Sequence, residues 1–420
     1  MNKIASNTIY QLVGKVVSMS ITVFIVMIIT RSYGREGYGA FSLMQTWPAL
    51  FFVIVDFGMN AIATRELSKD WSKVEKYLGT ILIVRIIFSL ILMALLAGIL
   101  ILFPYSSALK FGIILSLALI LTQALFTTTN VVFQVKQRYD LSTVGYLAGY
   151  MAVLVLASVV SYLNLDVAWV SFSYVIGGII TFALNWSFIK SLGVHPQIKV
   201  DRETLRYLLV SSLPLGLMFV FSQVNFKVDS ILLSVLSLPG KYGLTNTESV
   251  AVYSLPYKVF EVALVVPTFV MNSVFPVLVR KMGTGKEELK SIFIKTIFVL
   301  GGIAIIGGIG GFLFAPQVIS VLGGNDFSQS VVILRILLAG LLFYFLTQPL
   351  AWLIVTLGYQ KYLPFIYLVG AVFNTAANYI FIQKYSFYAS SIITHCSELL
   401  ILIMLIYFAR RCWRRTYAQV

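Results

Sequence analysis

The sequence predicts an all-α, polytopic membrane protein with about twelve transmembrane helices. Hydrophobic residues make up 59% of the 420 and charged residues only 11%, and the mean hydropathy is +0.92. No soluble core needs so much apolar surface, whereas a chain crossing lipid many times does. The apolar residues fall in long continuous runs rather than in alternation, which excludes a transmembrane β-barrel.

Roughly 20 residues cross a bilayer as a helix. Twelve runs reach that length, at about 8–30, 39–63, 78–103, 111–133, 143–163, 167–189, 208–237, 249–276, 292–315, 331–356, 362–383 and 386–408. The eighth holds Pro256, Pro267 and Pro276. Three residues that cannot donate a helix hydrogen bond predict a bent or broken helix there. The opening residues lack a short apolar core followed by a small-residue cleavage site, so no cleaved signal peptide is expected.

The basic residues set the orientation. With the N-terminus in the cytoplasm, 20 of the 31 lysines and arginines fall on the cytoplasmic side, five on the other side and six within the spans. Both termini are therefore expected in the cytoplasm of a multi-pass inner-membrane protein. The formal charge of +15 is thereby accounted for by topology, and no nucleic-acid partner is implied.

The longest loop, about 190–207, lies near the middle of the chain and ends in a helix start. Residues 41–60 align with 253–272, matching Ser42 with Ser254, Leu43 with Leu255, Val53 with Val265, Met59 with Met271 and Asn60 with Asn272. Gln137, Arg138 and Tyr139 likewise align with Gln360, Lys361 and Tyr362. These matches predict two six-helix lobes related by a pseudo-two-fold axis along the membrane normal. The N-terminal lobe covers 1–195, a cytoplasmic connector covers 196–207, and the C-terminal lobe with its basic tail covers 208–420.

Polar groups recur at helical spacing in three spans. Asn7, Gln11, Lys15, Ser18 and Thr22 share a face of the first. Gln123, Thr127, Asn130 and Gln134 do so in the fourth, and Gln223, Lys227, Ser230, Ser234 and Ser237 in the seventh. A polar stripe in a lipid-spanning helix faces a wet cavity or another helix. Gln11, Gln123, Asn130, Gln223 and Ser230 are the candidate polar lining.

Six cations lie within the spans: Lys15, Arg85, Lys227, Lys258, Lys295 and Arg335. Four acids share that depth: Asp56, Asp229, Glu261 and Glu398. These acids are candidate charge partners or ion-coupling groups. Charges in lipid are costly and so mark function or pairing. Lys295 and Arg335 are expected to snorkel. Lys258 and Glu261 stand three residues apart on one face and are expected to neutralise each other. Lys227 and Asp229 lie about 200° apart on a helix, so one of them is expected to pair with a neighbouring helix.

Other chemistries find little support. Gly283 to Lys286 is no phosphate-binding loop, because the earlier glycine and the hydroxyl residue are missing. Two histidines do not make a histidine metal site, and His195 and His395 are read as a solvated loop residue and a packed or hydrogen-bonded one. Cys396 and Cys412 occupy dissimilar surroundings, so no disulfide is expected. The glycine-rich stretch 301–311 is expected to let helices approach closely. No loop is large enough for a catalytic domain, so no catalytic residue, cofactor or metal is assigned and the chain is not read as an enzyme.

The chain resembles the polysaccharide biosynthesis transporters, the flippases of O-antigen and capsule units within the multidrug/oligosaccharidyl-lipid/polysaccharide exporter superfamily. The residues that carry the resemblance run the length of the chain. They are NTIYQLVGKVV at 7–17, Arg31 with GREGYGAFSL at 34–43, VDFGM at 55–59 with Arg65, Glu66 and Leu67, and KVDSILLS at 227–234. VYSLPYKVFE at 252–261, VFPVLVRK at 274–281, NTAANY at 374–379 and the last helix with Glu398 complete them. The resemblance implies a V-shaped pair of six-helix lobes with a cationic central cavity. A polyprenyl-diphosphate-linked oligosaccharide would pass its head group through that cavity to the outer leaflet by alternating access, with its tail in membrane lipid. Lys15, Arg31, Arg85, Lys227 and Lys258 would meet the diphosphate. A polysaccharide polymerase and chain-length proteins are the implied protein partners.

Two other classes compete. A multidrug exporter of the same architecture would use acids to bind organic cations. A membrane-embedded glycosyltransferase or polymerase would need an outer loop with paired carboxylates, but the outer acids Glu36, Asp166, Glu248 and Asp326 are scattered. A scaffold for other synthesis enzymes is the third reading. Reporter fusions test the topology: insertions at 195–203 and at the C-terminus should both report the cytoplasm, and an outside signal at either would break the twelve-span count.

Overall fold

The computed structural model describes residues 3–282 and 285–417, with side chains from Tyr10 onward. Every regular element among them is helical. In chain order the α-helices are α1 (Lys3–Asp56), α2 (Met59–Lys69), α3 (Val74–Leu100), α4 (Ser107–Lys136), α5 (Tyr139–Tyr162), α6 (Val167–Ser191) and α7 (Arg202–Val235). Then come α8 (Asn246–Ala263), α9 (Val265–Met282), α10 (Lys286–Gly323), α11 (Ser328–Ala339), α12 (Leu341–Thr356), α13 (Leu363–Tyr385) and α14 (Phe387–Tyr417).

Among the described residues eleven helical runs are long and apolar enough to cross a membrane, the first being the 60-residue run Tyr10–Lys69. As one straight helix it would be about 90 Å long, three times the hydrocarbon core. It is not straight. Gly34 takes φ 64° and ψ −161° inside it, a conformation open to almost no residue but glycine. The run therefore crosses twice, which gives twelve spans.

Several spans are broken, each for an identifiable reason. The second bends where Phe57 and Gly58 take positive φ, 41° and 72°. The eighth is divided between α8 and α9. Pro267 has no N–H to offer the carbonyl four residues back, on Ala263, and α8 ends at that residue. The break expected from the three prolines is thus at Leu264. The tenth is divided at Gly340, between α11 and α12.

The chain divides into two compact units, Met1–Val220 and Phe221–Val420. In the first, α4, α5 and α6 pack on one another and on α1, and α3 lies against α4. The α5–α6 contact is close because it is built from small residues. A Cβ on Gly149 would stand 2.0 Å from Thr181 Oγ1, and one on Gly177 would stand 2.8 Å from the Gly149 carbonyl. Met59, Ile62, Leu67, Leu78, Phe133 and Leu208 belong to a buried cluster at one end of this unit. In the second unit α10, α11, α12 and α14 pack together, with α13 on α14 and α8 on α11. The glycine-rich stretch meets α11 through Gly308 and Gly311 at Leu338, while Gly302 and Gly310 face open space.

The segment before α7 is fastened to α3. Gln197 donates its backbone N–H to the Glu75 carbonyl at 3.1 Å and Asp201 donates to Thr80 Oγ1 at 3.2 Å. Lys76 pairs with Asp201 at 3.1 Å. Asp201 also caps α7, accepting from the Thr204 N–H at 2.8 Å. Those hydrogen bonds, Thr204 first and Lys76 after it, hold its carboxyl down at about 2.

The fastening requires Gly79, where a Cβ would lie 1.6 Å from the Gln197 carbonyl oxygen. Gly79→Ala should displace the segment and lower stability by about 1–3 kcal/mol, the usual cost of overpacking. Gly98, whose added Cβ meets nothing within 4 Å, is the control: Gly98→Ala should leave the melting temperature in detergent unchanged or slightly raised.

Candidate functional site

Each unit carries its own cluster of charges at membrane depth. In the first, Asp56 stands at the last residue of α1, where the backbone turns through Phe57 and Gly58. A helix end leaves carbonyls without intrahelical donors. Arg85, from the middle of α3, supplies one. Its Nη2 donates to Asp56 Oδ1 at 2.5 Å and to the Asp56 carbonyl at 3.4 Å. Its Nη1 donates to Thr128 Oγ1 at 2.6 Å, and at 3.4 Å to Thr127 Oγ1 and the Ala124 carbonyl of α4. The Arg85 side chain is 0% exposed and that of Asp56 21%. Arg85 therefore joins α1, α3 and α4 and is sealed from solvent in this conformation.

Gln123 lines a cavity of about 130 Å³ among α4, α5 and α6, together with Thr122, Tyr146, Tyr150, Tyr174 and Thr181. Asn130 accepts from Ser142 Oγ of α5 at 2.9 Å. Gln11 and Lys15 lie half-buried along α1 with Ser18, whose hydroxyl donates to the Lys15 carbonyl at 2.9 Å. Arg31 is exposed, three residues before the Gly34 break. Asn7 falls outside the residues with described side chains.

In the second unit, Lys227, Glu261 and Lys258 come together. Lys227 Nζ donates to Glu261 Oε1 at 2.5 Å, and Lys258 Nζ donates to Oε2 at 3.2 Å. Lys227 also lies over the Tyr257 ring, 5.6 Å from its centre. The Lys258–Glu261 contact expected from their spacing is present, but the shorter contact comes from α7. One carboxylate serves two ammonium groups, so the trio carries one excess positive charge. It stands in the last turns of α8, just before the break at Leu264. The side chains of Lys227, Glu261 and Lys258 are 20%, 28% and 48% exposed, respectively.

Asp229, two residues from Lys227, points elsewhere, as the 200° separation requires. It is fully buried. It accepts from the Tyr253 hydroxyl and from Thr394 Oγ1 of α14 at 3.5 Å, and from the Ser230 N–H at 2.8 Å. One turn along α14, Glu398 accepts from Thr347 Oγ1 of α12 at 2.6 Å. Asn374 donates to Ser397 at 3.1 Å, and Asn378 to Asn374 Oδ1 at 3.0 Å. A buried polar seam thus runs between α7, α8, α12, α13 and α14. Asp229 and Glu398 belong to it, whereas Gln223 and Ser230 lie along α7. Tyr253, Thr347 and Thr394 were not singled out from sequence, although Ser390, Thr394 and Glu398 repeat every four residues on one helix face.

Arg335 donates to the Phe312 carbonyl at 3.3 Å and lies over that ring. His395 contacts the Ile336 carbonyl at 2.7 Å and His195 is exposed. Both cysteines are free.

Membrane-length helices, several of them interrupted, with polar contacts buried inside each unit, define a multi-pass membrane protein. Solved structures of membrane transporters are similar in fold along nearly the whole chain. An inward-facing multidrug resistance MATE family transporter of the MOP superfamily is 14% identical, with a TM-score of 0.76 over 97% of this chain and 98% of that one. The lipid II flippase MurJ in an inward closed conformation is 14% identical, with a TM-score of 0.74 over 98% and 90%. A MOP superfamily transporter from Pyrococcus furiosus Vc1 (DSM3638) is 16% identical, with a TM-score of 0.70 over 99% and 96%. No curated protein matches the chain. The family described as polysaccharide biosynthesis protein matches residues 4–282, and the MatE family matches 228–380. The first covers well over half of the sequence, and the chain belongs to that family.

The shared carboxylate gives an ordered set of outcomes. Lys258→Gln should be mild, because Glu261 keeps Lys227. Glu261→Gln should be worse, on the order of 1–2 kcal/mol, since it removes the carboxylate that both cations share. The double substitution Lys258→Met with Glu261→Leu should not restore stability, because Lys227 remains without a carboxylate, and adding Lys227→Met should. Melting temperatures in detergent check the order.

Proposed function

We propose that the protein is a flippase that carries a polyprenyl-diphosphate-linked oligosaccharide from the cytoplasmic to the outer leaflet by alternating access. The observation that carries this reading is the excess positive charge of Lys227 and Lys258 around Glu261, in a chain of the polysaccharide biosynthesis family. A diphosphate needs cations, and this trio sets two against a single carboxylate. Likeness in fold to a lipid II flippase supports the substrate class. Lys15 and Arg31 join these lysines as candidate diphosphate contacts, with Gln11, Gln123, Asn130, Gln223 and Ser230 offered to sugars. Arg85 enters only if its pair with Asp56 opens during the cycle. Asp229 of α7 and Glu398 of α14, both buried in the polar seam, are where a coupling ion would act. The reading places the chain in the inner membrane with both termini in the cytoplasm, as lobes 1–195 and 208–420 joined by 196–207. Polymerase and chain-length proteins would take the flipped unit onward.

The MATE likeness and the MatE match favour one competing reading, a multidrug exporter. Its organic cations would seek the buried acids rather than the lysines.

Purified protein in liposomes should flip lipid-linked oligosaccharide without ATP. Lys227→Gln and Lys258→Gln should each lower the flipping rate about tenfold or more, with Arg at either place restoring part of it, since a diffuse diphosphate contact depends on charge more than on shape. Export of an organic cation, unaffected by these lysine variants but lost in Asp229→Asn, would favour the exporter reading instead.

A further inference from the structure

The second unit has a groove that neither the family match nor the charge clusters above account for. It lies among α10, α12 and α14 and measures about 590 Å³, within the range of roughly 300–1,000 Å³ typical of small-molecule sites. Each helix contributes one stripe at helical spacing: Phe293 and Ile297 from α10, Leu350 and Leu353 from α12, and Ile406 and Ala409 from α14. The body is apolar. Lys290, in the second turn of α10, and Arg410 and Arg414, in the last turns of α14, join the lining beside Trp413. Among the described residues none of these three cations has an ion-pair partner. The neighbouring acid Glu288 is engaged by Lys281.

An apolar slot ending in three unneutralised cations is complementary to an amphiphile with an anionic head. Indole rings such as that of Trp413 settle at the level of lipid head groups. The shape excludes a free anion as the main occupant, because most of the groove has nothing polar to offer one. We propose that this groove is a binding site for an anionic phospholipid, with one acyl chain against the α10–α12–α14 stripes and the phosphate held by Lys290, Arg410 and Arg414. The site does not depend on the flippase reading, because none of its residues belongs to the clusters assigned to the transported molecule.

The test uses the full-length protein in detergent, titrated by native mass spectrometry with phosphatidylglycerol, phosphatidylcholine and inorganic phosphate. Phosphatidylglycerol should bind more tightly than phosphatidylcholine, and phosphate should not displace it at equal concentration. Each of Lys290→Gln, Arg410→Gln and Arg414→Gln should weaken phosphatidylglycerol binding about fivefold, in line with the usual contribution of a basic residue at an anionic membrane surface. The Arg↔Lys exchanges at these positions should retain most of it. Ile406→Trp, which fills the slot, should weaken binding with the cations intact, and its melting temperature reports whether the fold survives. Equal affinity for the two lipids, unchanged binding in all three Gln variants, or displacement by phosphate alone would each overturn the proposal.

Discussion

A charge at the depth of lipid must find a partner, because no water is there to solvate it. That constraint organises both units. Arg85 reaches Asp56 and the α4 hydroxyls, Lys227 and Lys258 reach Glu261, and Asp229 is met by Tyr253 and Thr394. All but the Lys258–Glu261 contact, which lies within α8, join different helices, in a medium where apolar side chains gain little by meeting one another. The ionic contacts and the small-residue seam between α5 and α6 therefore select which helices lie together.

The same constraint explains where the helices break. An interrupted helix exposes backbone carbonyls and amides that lipid cannot satisfy. At the end of α1 the guanidinium of Arg85 takes the Asp56 carbonyl as well as its carboxylate. The break at Leu264 follows the shared carboxylate of Glu261 by three residues. In each unit the second span is interrupted beside a buried or half-buried acid.

Much of this was legible in sequence. Continuous apolar runs placed twelve spans, and three prolines foretold the division of α8 from α9. Helical spacing assigned Lys227 and Asp229 to different faces, and the structure has them contacting different partners. Spacing names a face, however, and not what stands opposite it. The i, i+3 relation of Lys258 and Glu261 was visible, while the closer approach of Lys227 to the same carboxylate depends on how α7 meets α8. Arg85 looked like a cavity cation because no acid stands within two turns of it on its own helix; Asp56 lies 29 positions earlier, on another helix. Tyr253, Thr347 and Thr394 escaped notice because hydroxyl residues are common in membrane helices and acquire meaning only beside an acid. Gly34 stood among several glycines of one stretch, and only its backbone angles mark it as the turning point of the first hairpin.

The arrangement of one glutamate between two lysines has a consequence for any traffic past it. With a single lysine, an arriving anion would compete with Glu261 head-on, and its departure would leave the ammonium group briefly without a counter-charge. With two, a visitor that draws Lys258 away leaves Glu261 held by the closer and more buried Lys227. The carboxylate acts as a resident placeholder that never goes unaccompanied. Under the flippase reading, capture and release become swaps between one pairing and the other, with Glu261 keeping a partner through both.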